Sequence, residues 1–304
     1  MTYLTKVQPT ISNVGFGRIT PEIISEIFAG LDLTEGTREQ YEREIGRFVR
    51  WVEENGWGPD VLVRFKNHLR AELSLSTNSK SKYLTVARVF VNRLATVGVL
   101  PFDVESPKGF RVGRTLKRQP LTKEDVGRIL SELEGDSFLS TMVHFLYFQG
   151  LRGNEARTLR IEDIEIGNGG FFVRGKGRDQ DREWIRFHPR TVKTLKDYLK
   201  KESLGSGFLF PSPHNPANPI SQPTIWRRLK KVFEKVGVDS NPHSFRKSFV
   251  SGLIEGGMDL ITVSRFSRHR SIQQLQTYFD RVSIERSFPQ FVQSLEVDYD
   301  SAPA

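Results

Sequence analysis

The sequence predicts a mainly α-helical protein with a small antiparallel β-sheet, in two domains joined by a basic linker. Three observations carry this. Apolar residues recur at helical spacing through residues 19–101; residues 102–120 lose that period and fill with Pro, Gly, Lys and Arg; three short strand-like runs interrupt an otherwise helical remainder. A chain of 304 residues is long enough to bury a core in each domain. Helical segments on both sides of the strands rule out a doubly wound parallel sheet.

Residues 1–18 show no period and read as an N-terminal arm. Thr20-Pro21-Glu22 then combines an N-cap with proline at N1 and starts a helix that runs to Gly30. Thr37 is expected to cap a second helix, with Tyr41, Ile45, Phe48 and Val52 on one face. A third runs from about Pro59 with Val61, Phe65, Leu69 and Leu73, and a fourth from Thr77 with Tyr83, Ala87, Phe90, Leu94 and Val97. Four amphipathic helices make a small bundle over residues 19–101.

Past the linker, Thr122 is placed as an N-cap with acids following it, opening a domain over residues 121–283. An apolar helix from Ser137 ends at Gly150. Strands are expected at Glu162 to Ile166, Phe171 to Arg174 and Glu183 to Phe187, with Asn168-Gly169 at the first turn. Helices follow at Pro189 to Lys201, Gln222 to Val236, Pro242 to Glu255, Asp259 to Ser267 and Ser271 to Arg281. In the last of these Ile272, Leu275, Phe279 and Val282 form the buried seam, and Tyr278 falls to one side of it. A further short helix is expected within residues 284–304, started by Ser287 and Pro289.

Composition narrows the function. No apolar run approaches the length of a membrane span, and the first residues lack a signal-peptide layout, so a cytoplasmic protein is expected. Zero cysteines exclude disulfides and thiol chemistry, and the six histidines show no metal-binding pair spacing, so neither metal nor cofactor is expected. Net charge is +9. Between Arg64 and Arg118 stand twelve basic residues and three acidic ones, an excess as large as that of the whole chain. A polyanion is the natural partner, with Lys80, Lys82, Arg88, Lys117 and Arg118 as candidate contacts and the linker as a strap along a nucleic-acid backbone.

Six residues of the second domain carry chemistry. Arg152 follows the glycine that ends a buried helix, with Glu155 three residues on. Lys176 lies in the glycine-flanked turn Gly175-Lys176-Gly177 between strands. Asn241-Pro242-His243-Ser244-Phe245-Arg246-Lys247 opens a helix whose first-turn amides attract an anion, and His243 and Arg246 share a face beside them. His269 precedes Tyr278 by nine residues. Each alone has an ordinary reading: a surface arginine, a hairpin lysine, a capping histidine, a half-buried tyrosine. The ordered set does not.

Taken together, Gly150-Leu151-Arg152-Gly153-Asn154-Glu155, Lys176, His243-Ser244-Phe245-Arg246 and His269 to Tyr278 resemble the boxes of the tyrosine recombinase (phage integrase) family. The resemblance implies an α+β catalytic domain preceded by a SAM-like, helical core-binding domain. It also implies double-stranded DNA as partner, a homotetramer at synapsis, accessory DNA-bending proteins, and association with the nucleoid. Tyr278 would be the nucleophile and Arg152 and Arg246 the phosphate clamp, with Glu155 buttressing Arg152. His243 would be the base, Lys176 the acid and His269 a donor to the phosphate. The C-terminal helix would dock on a neighbouring protomer or pack back on its own domain. Relaxation of supercoils in the manner of a type IB topoisomerase, or DNA binding without catalysis, are the alternative readings. Two positions depart from that pattern: residue 268, commonly glycine in that family, is arginine, and residue 247, often histidine, is Lys247, a further phosphate contact or a surface charge.

Overall fold

The computed structural model describes residues 19–111, 119–174, 182–269 and 271–294. The chain divides into two compact units, Met1–Gly113 and Arg114–Ala304. No helix among the described residues is long and apolar enough to cross a membrane.

The first unit is built from α1 (Pro21–Ala29), α2 (Glu35–Asn55), α3 (Val61–Ala71) and α4 (Thr77–Thr96). Their apolar faces meet in a core centred on Phe28, Phe48, Phe65 and Phe90. Phe48 meets Phe65 edge-on with ring centroids 5.0 Å apart. Each fully buried ring stabilises the bundle by roughly 1.5–3 kcal/mol before entropy is counted. Two expectations are corrected. Helix α2 begins at Glu35, because the carbonyl of Thr34, its N-cap, accepts the amides of both Thr37 and Arg38. Leu73 is 92% exposed, because α3 stops at Ala71 before the seam reaches it. Residues 102–111 pack back on this unit: Phe102, Val104 and Phe110 lie against its core, and the Glu105 amide donates to the Pro59 carbonyl at 2.7 Å.

The second unit runs α5 (Lys123–Glu132), α6 (Ser137–Tyr147), α7 (Gly153–Arg157), β1 (Ile164–Glu165), β2 (Gly170–Arg174), β3 (Arg182–Arg186), α8 (Pro189–Lys201), α9 (Gln222–Lys235), α10 (Pro242–Glu255), α11 (Leu260–Ser267) and α12 (Gln273–Ser294). The three strands form an antiparallel sheet in sequence order, with Ile164 opposite Phe171 and Val173 opposite Glu183. Strand β1 is shorter than expected. Residues Ile161–Asp163 make a 3-10 turn instead, which carries the buried Asp163 carboxylate to Arg174 at 3.5 Å and Arg182 at 3.3 Å.

Helix α6 is the spine of this unit and packs against α8 and α10. A smaller cluster of Val250, Ile254, Val263 and Leu275, flanked by Phe249, Tyr278 and Phe279, seats α12 on α10 and α11. The expected break between two terminal helices is absent, and α12 runs unbroken with Pro289 inside it. Proline removes one bond of the helical ladder, and the ladder resumes on both sides. Ile272, expected in the seam, is 43% exposed because it precedes the helix, where its carbonyl accepts the amides of Leu275 and Gln276.

Candidate active site

The site starts from a turn that only glycine can make. Gly150 ends the α6 segment at φ +59°, and a Cβ there would lie 2.3 Å from the Phe249 ring. The Gly150 carbonyl thereby accepts from two guanidiniums, those of Arg246 and Arg268. Two residues on, Arg152 leads into α7. Glu155 accepts both the Arg152 amide at 2.8 Å and its guanidinium at 2.6 Å, so a single carboxylate caps the helix and aims the arginine.

Glu155 serves more than one cation. Arg268 Nη2 stands 3.0 Å from its Oε2, and Arg246 Nη1 stands 4.0 Å away. Burial alone would raise its pKa; the Arg268 charge, followed by the bonds from Arg152, overrides that and holds it below the usual carboxylate value. Arg246 is 2% exposed, and its remaining amine donates to the Ser267 carbonyl. Burial, with Arg152 and Arg268 beside it, pushes Arg246 down to about 9, which leaves it charged at neutral pH. Three guanidiniums surround the Glu155 carboxylate, and even with Glu183 of β3 nearby the described residues leave surplus positive charge for an anion.

The histidines and the tyrosine border this charge. Asn241 caps α10 by accepting the His243 amide at 2.9 Å, and Pro242 occupies the first helical position. His243 keeps an exposed edge, but partial desolvation, then Lys247 and Arg246, lower its pKa. His269 is held at about 4 by burial and by Arg246 and Arg152. Tyr278 is half-buried; desolvation raises its pKa, and Arg246 opposes that rise. Both imidazoles are therefore neutral near pH 7 and the phenol is protonated.

Between these groups Arg268 sits at φ +55°, ψ +44°, a left-handed residue that closes α11. That conformation favours glycine. Here the arginine side chain, 5% exposed, folds inward to Glu155 and Gly150.

Arg152, Glu155, His243, Arg246, His269 and Tyr278 thus gather at the ends of α6, α10 and α11 and on α12. Lys176 lies outside the described residues, as do Lys117 and Arg118. Lys247 is half-buried on α10 near His243. Of the basic residues in the first unit, Lys80 donates to the Arg70 carbonyl at 3.1 Å and Lys82 pairs with Glu44 at 2.5 Å. Arg88 has its Nε buried. Sequence reasoning missed the Gly150 carbonyl, Ser267, the inward turn of Arg268, and Glu183 on β3. Glu183 is exposed, but partial desolvation pushes its carboxyl up while Arg268 pulls it down, so it stands within reach of the same cluster. The one signal available beforehand was the helix-ending glycine before Arg152.

Residues 119–283 match the sequence model of the phage integrase family. Tyrosine recombinase XerA of Pyrococcus furiosus is 28% identical over 261 residues, covering 84% of this chain and 88% of that protein. Tyrosine recombinase XerD of Listeria innocua is 27% identical over 286 residues, covering 85% and 93%. Among solved structures, XerH recombinase bound to its palindromic difH substrate in a post-cleavage complex superposes with a TM-score of 0.68. It is 16% identical, and the match covers 90% of this chain and 85% of that one. A lambda integrase dimer bound to a COC′ core site gives 0.65 at 17% identity, covering 85% and 93%. These structural likenesses establish the fold.

Proposed function

This chain belongs to the phage integrase family, and we propose that it is a site-specific DNA recombinase that cuts one strand with Tyr278 and rejoins it to another. The observation that carries the reading is the pairing of Arg152 and Arg246 around Glu155, at 2.6 and 4.0 Å, with Tyr278 in electrostatic reach of Arg246. Two planar donors, both charged at neutral pH, suit a phosphodiester whose pentacoordinate transition state gains charge on its non-bridging oxygens.

In the proposed step the Tyr278 oxygen attacks phosphorus and the bond to the 5′ oxygen breaks. The product is a 3′-phosphotyrosyl link and a free 5′ hydroxyl. The phenol loses its proton to His243, whose lowered pKa keeps it unprotonated and able to accept. Lys176 returns a proton to the departing 5′ oxygen. Glu155 holds Arg152 against the phosphate, His269 lines the same site, and Lys247 adds charge at its edge. Attack by a 5′ hydroxyl from a second strand reverses the sequence, so bond energy is conserved without nucleotide hydrolysis.

The partner is duplex DNA. The first unit serves as the core-binding domain, contributing Lys80, Lys82 and Arg88, with Lys117 and Arg118 along the connecting strap; Lys82 would exchange its Glu44 partner for phosphate. Four protomers act at synapsis, in the cytoplasm on the nucleoid. The test is Tyr278→Phe on a nicked suicide duplex. The variant binds DNA with parental affinity and traps no covalent complex; an adduct that persists would remove Tyr278 as the nucleophile.

A further inference from the structure

Ser267 is the last residue of α11 and is fully buried, and both its polar ends are turned to groups of the site. Its carbonyl accepts from Arg246. Its hydroxyl oxygen lies 2.6 Å from the Val263 carbonyl and 2.6 Å from His269 Nδ1. The backbone of His269 is tied down in the same place: its amide donates to the Ser264 carbonyl at 3.1 Å, and the Ser264 hydroxyl donates to its carbonyl at 2.9 Å. Among the described residues, the ring's hydrogen-bond partner is Ser267.

A hydroxyl has one proton and two lone pairs, whereas a carbonyl can only accept. Two oxygens 2.6 Å apart repel unless a proton lies between them, so the Ser267 proton points at Val263. The Ser267 oxygen can then only accept from the imidazole, which places a proton on Nδ1. In a neutral ring the other nitrogen, Nε2, is left bare. Burial and the surrounding arginines keep this ring neutral.

We infer that Ser267 is a positioning residue that locks His269 as the Nδ1–H tautomer, so that Nε2 enters the site as an acceptor. This deepens the recombinase reading and rests on it for its catalytic consequence. The family resemblance implies a phosphate donor at His269. With Nδ1 committed to Ser267, the neutral ring has no N–H to offer, and His269 donates to a phosphate oxygen only after Nε2 gains a proton.

Two measurements test this. Imidazole nitrogen NMR of the unmodified protein without DNA, assigned by loss of the signal in His269→Ala, reports the tautomer directly. A single Nδ1–H form at pH 7 is expected; an Nε2–H form overturns the proposal. The second is a cycle of Ser267→Ala, His269→Ala and the double variant, read as the rate of covalent capture on nicked DNA. Ser267→Ala is expected to slow capture roughly fivefold to tenfold, the equivalent of one hydrogen bond, with DNA affinity unchanged. Added to His269→Ala it should change nothing further. An equal loss in both backgrounds, or no loss in the parent, overturns the role. If the parent captures no DNA, the recombinase reading falls, and the NMR result still decides the tautomer.

Discussion

Arg152 and Arg268 hold each other through one carboxylate: Arg152 donates to the Arg268 carbonyl at 2.7 Å, while Arg268 donates to Glu155 at 3.0 Å, and Glu155 aims Arg152. This closed loop joins the turn after α6 to the turn after α11, so the side chain at 268 matters although its backbone conformation favours glycine. The two effects separate by substitution. Arg268→Ala loses the ion pair and keeps the left-handed strain. Arg268→Gly loses the pair and relieves the strain, which is worth about 1 kcal/mol or slightly more. Arg268→Gly should therefore be the more stable of the two in urea unfolding, a reversal of the usual preference for Ala over Gly in helices. An alanine variant equal to or above the glycine variant would mean that position 268 is not strained.

A second prediction concerns Gly150. An alanine there meets the Phe249 ring at 2.3 Å and adopts a left-handed φ, so strain adds to overpacking. The expected loss is about 2–4 kcal/mol. Phe249→Leu made together with Gly150→Ala should recover the steric part and leave the strain. If the double variant is as unstable as the sum of the two single variants, the clash is not the cause. Because the Gly150 carbonyl also seats Arg246 and Arg268, Gly150→Ala should slow covalent capture even where the protein remains folded.

How far the sequence foretold all this depends on whether a feature is periodic or tertiary. The seams of α2 and α4 were legible because Ile45, Phe48 and Val52, and Ala87, Phe90 and Leu94, repeat at helical spacing and are buried. Arg152, Glu155, His243, Arg246, His269 and Tyr278 could be named as candidates because their types are chemically specific and their order is distinctive. What spacing could not convey was direction in space. Nothing in Ser267-Arg268-His269 announces that the serine hydroxyl turns to the imidazole or that the arginine folds in toward Glu155. Both follow from a left-handed turn that reverses the chain after α11. Ile272 misled because a seam continues only while the helix does, and α12 begins one residue later.

Glu155 should govern stability in acid. Its carboxylate is buried among Arg152, Arg268 and Arg246, and removing it leaves cations without their partner. Glu155→Gln is therefore expected to cost about 3 kcal/mol at pH 7. The pKa in the folded protein lies below the ordinary 4.5, so the carboxylate contributes stability above about pH 4.5 and loses it as pH falls through the lower folded value. The gap between parent and Glu155→Gln should accordingly narrow between pH 5 and pH 3 in denaturant titrations. A gap that stays constant over that range would show that the carboxylate charge is not what stabilises the site.

The pH dependence of cleavage should report His243. Tyr278 has its pKa raised by burial, so at neutral pH it is a phenol and must hand over a proton as it attacks. His243 can receive that proton only when unprotonated, and its pKa is lowered from 6.5 by desolvation and by Lys247 and Arg246. The single-turnover rate should thus rise with pH to a midpoint below 6.5 and be level between pH 7 and 8. His269, held at about 4, stays neutral across the level region between pH 7 and 8. His243→Gln should remove the rise and lower the plateau by roughly 10²–10⁴-fold, the usual contribution of a positioned base. Lys247→Met removes the next-largest influence on the imidazole after desolvation, so it should move the midpoint toward 6.5, while the loss of its charge at the edge of the site lowers the plateau. A midpoint that does not move in Lys247→Met, or a rise that survives in His243→Gln, would assign the proton to another group.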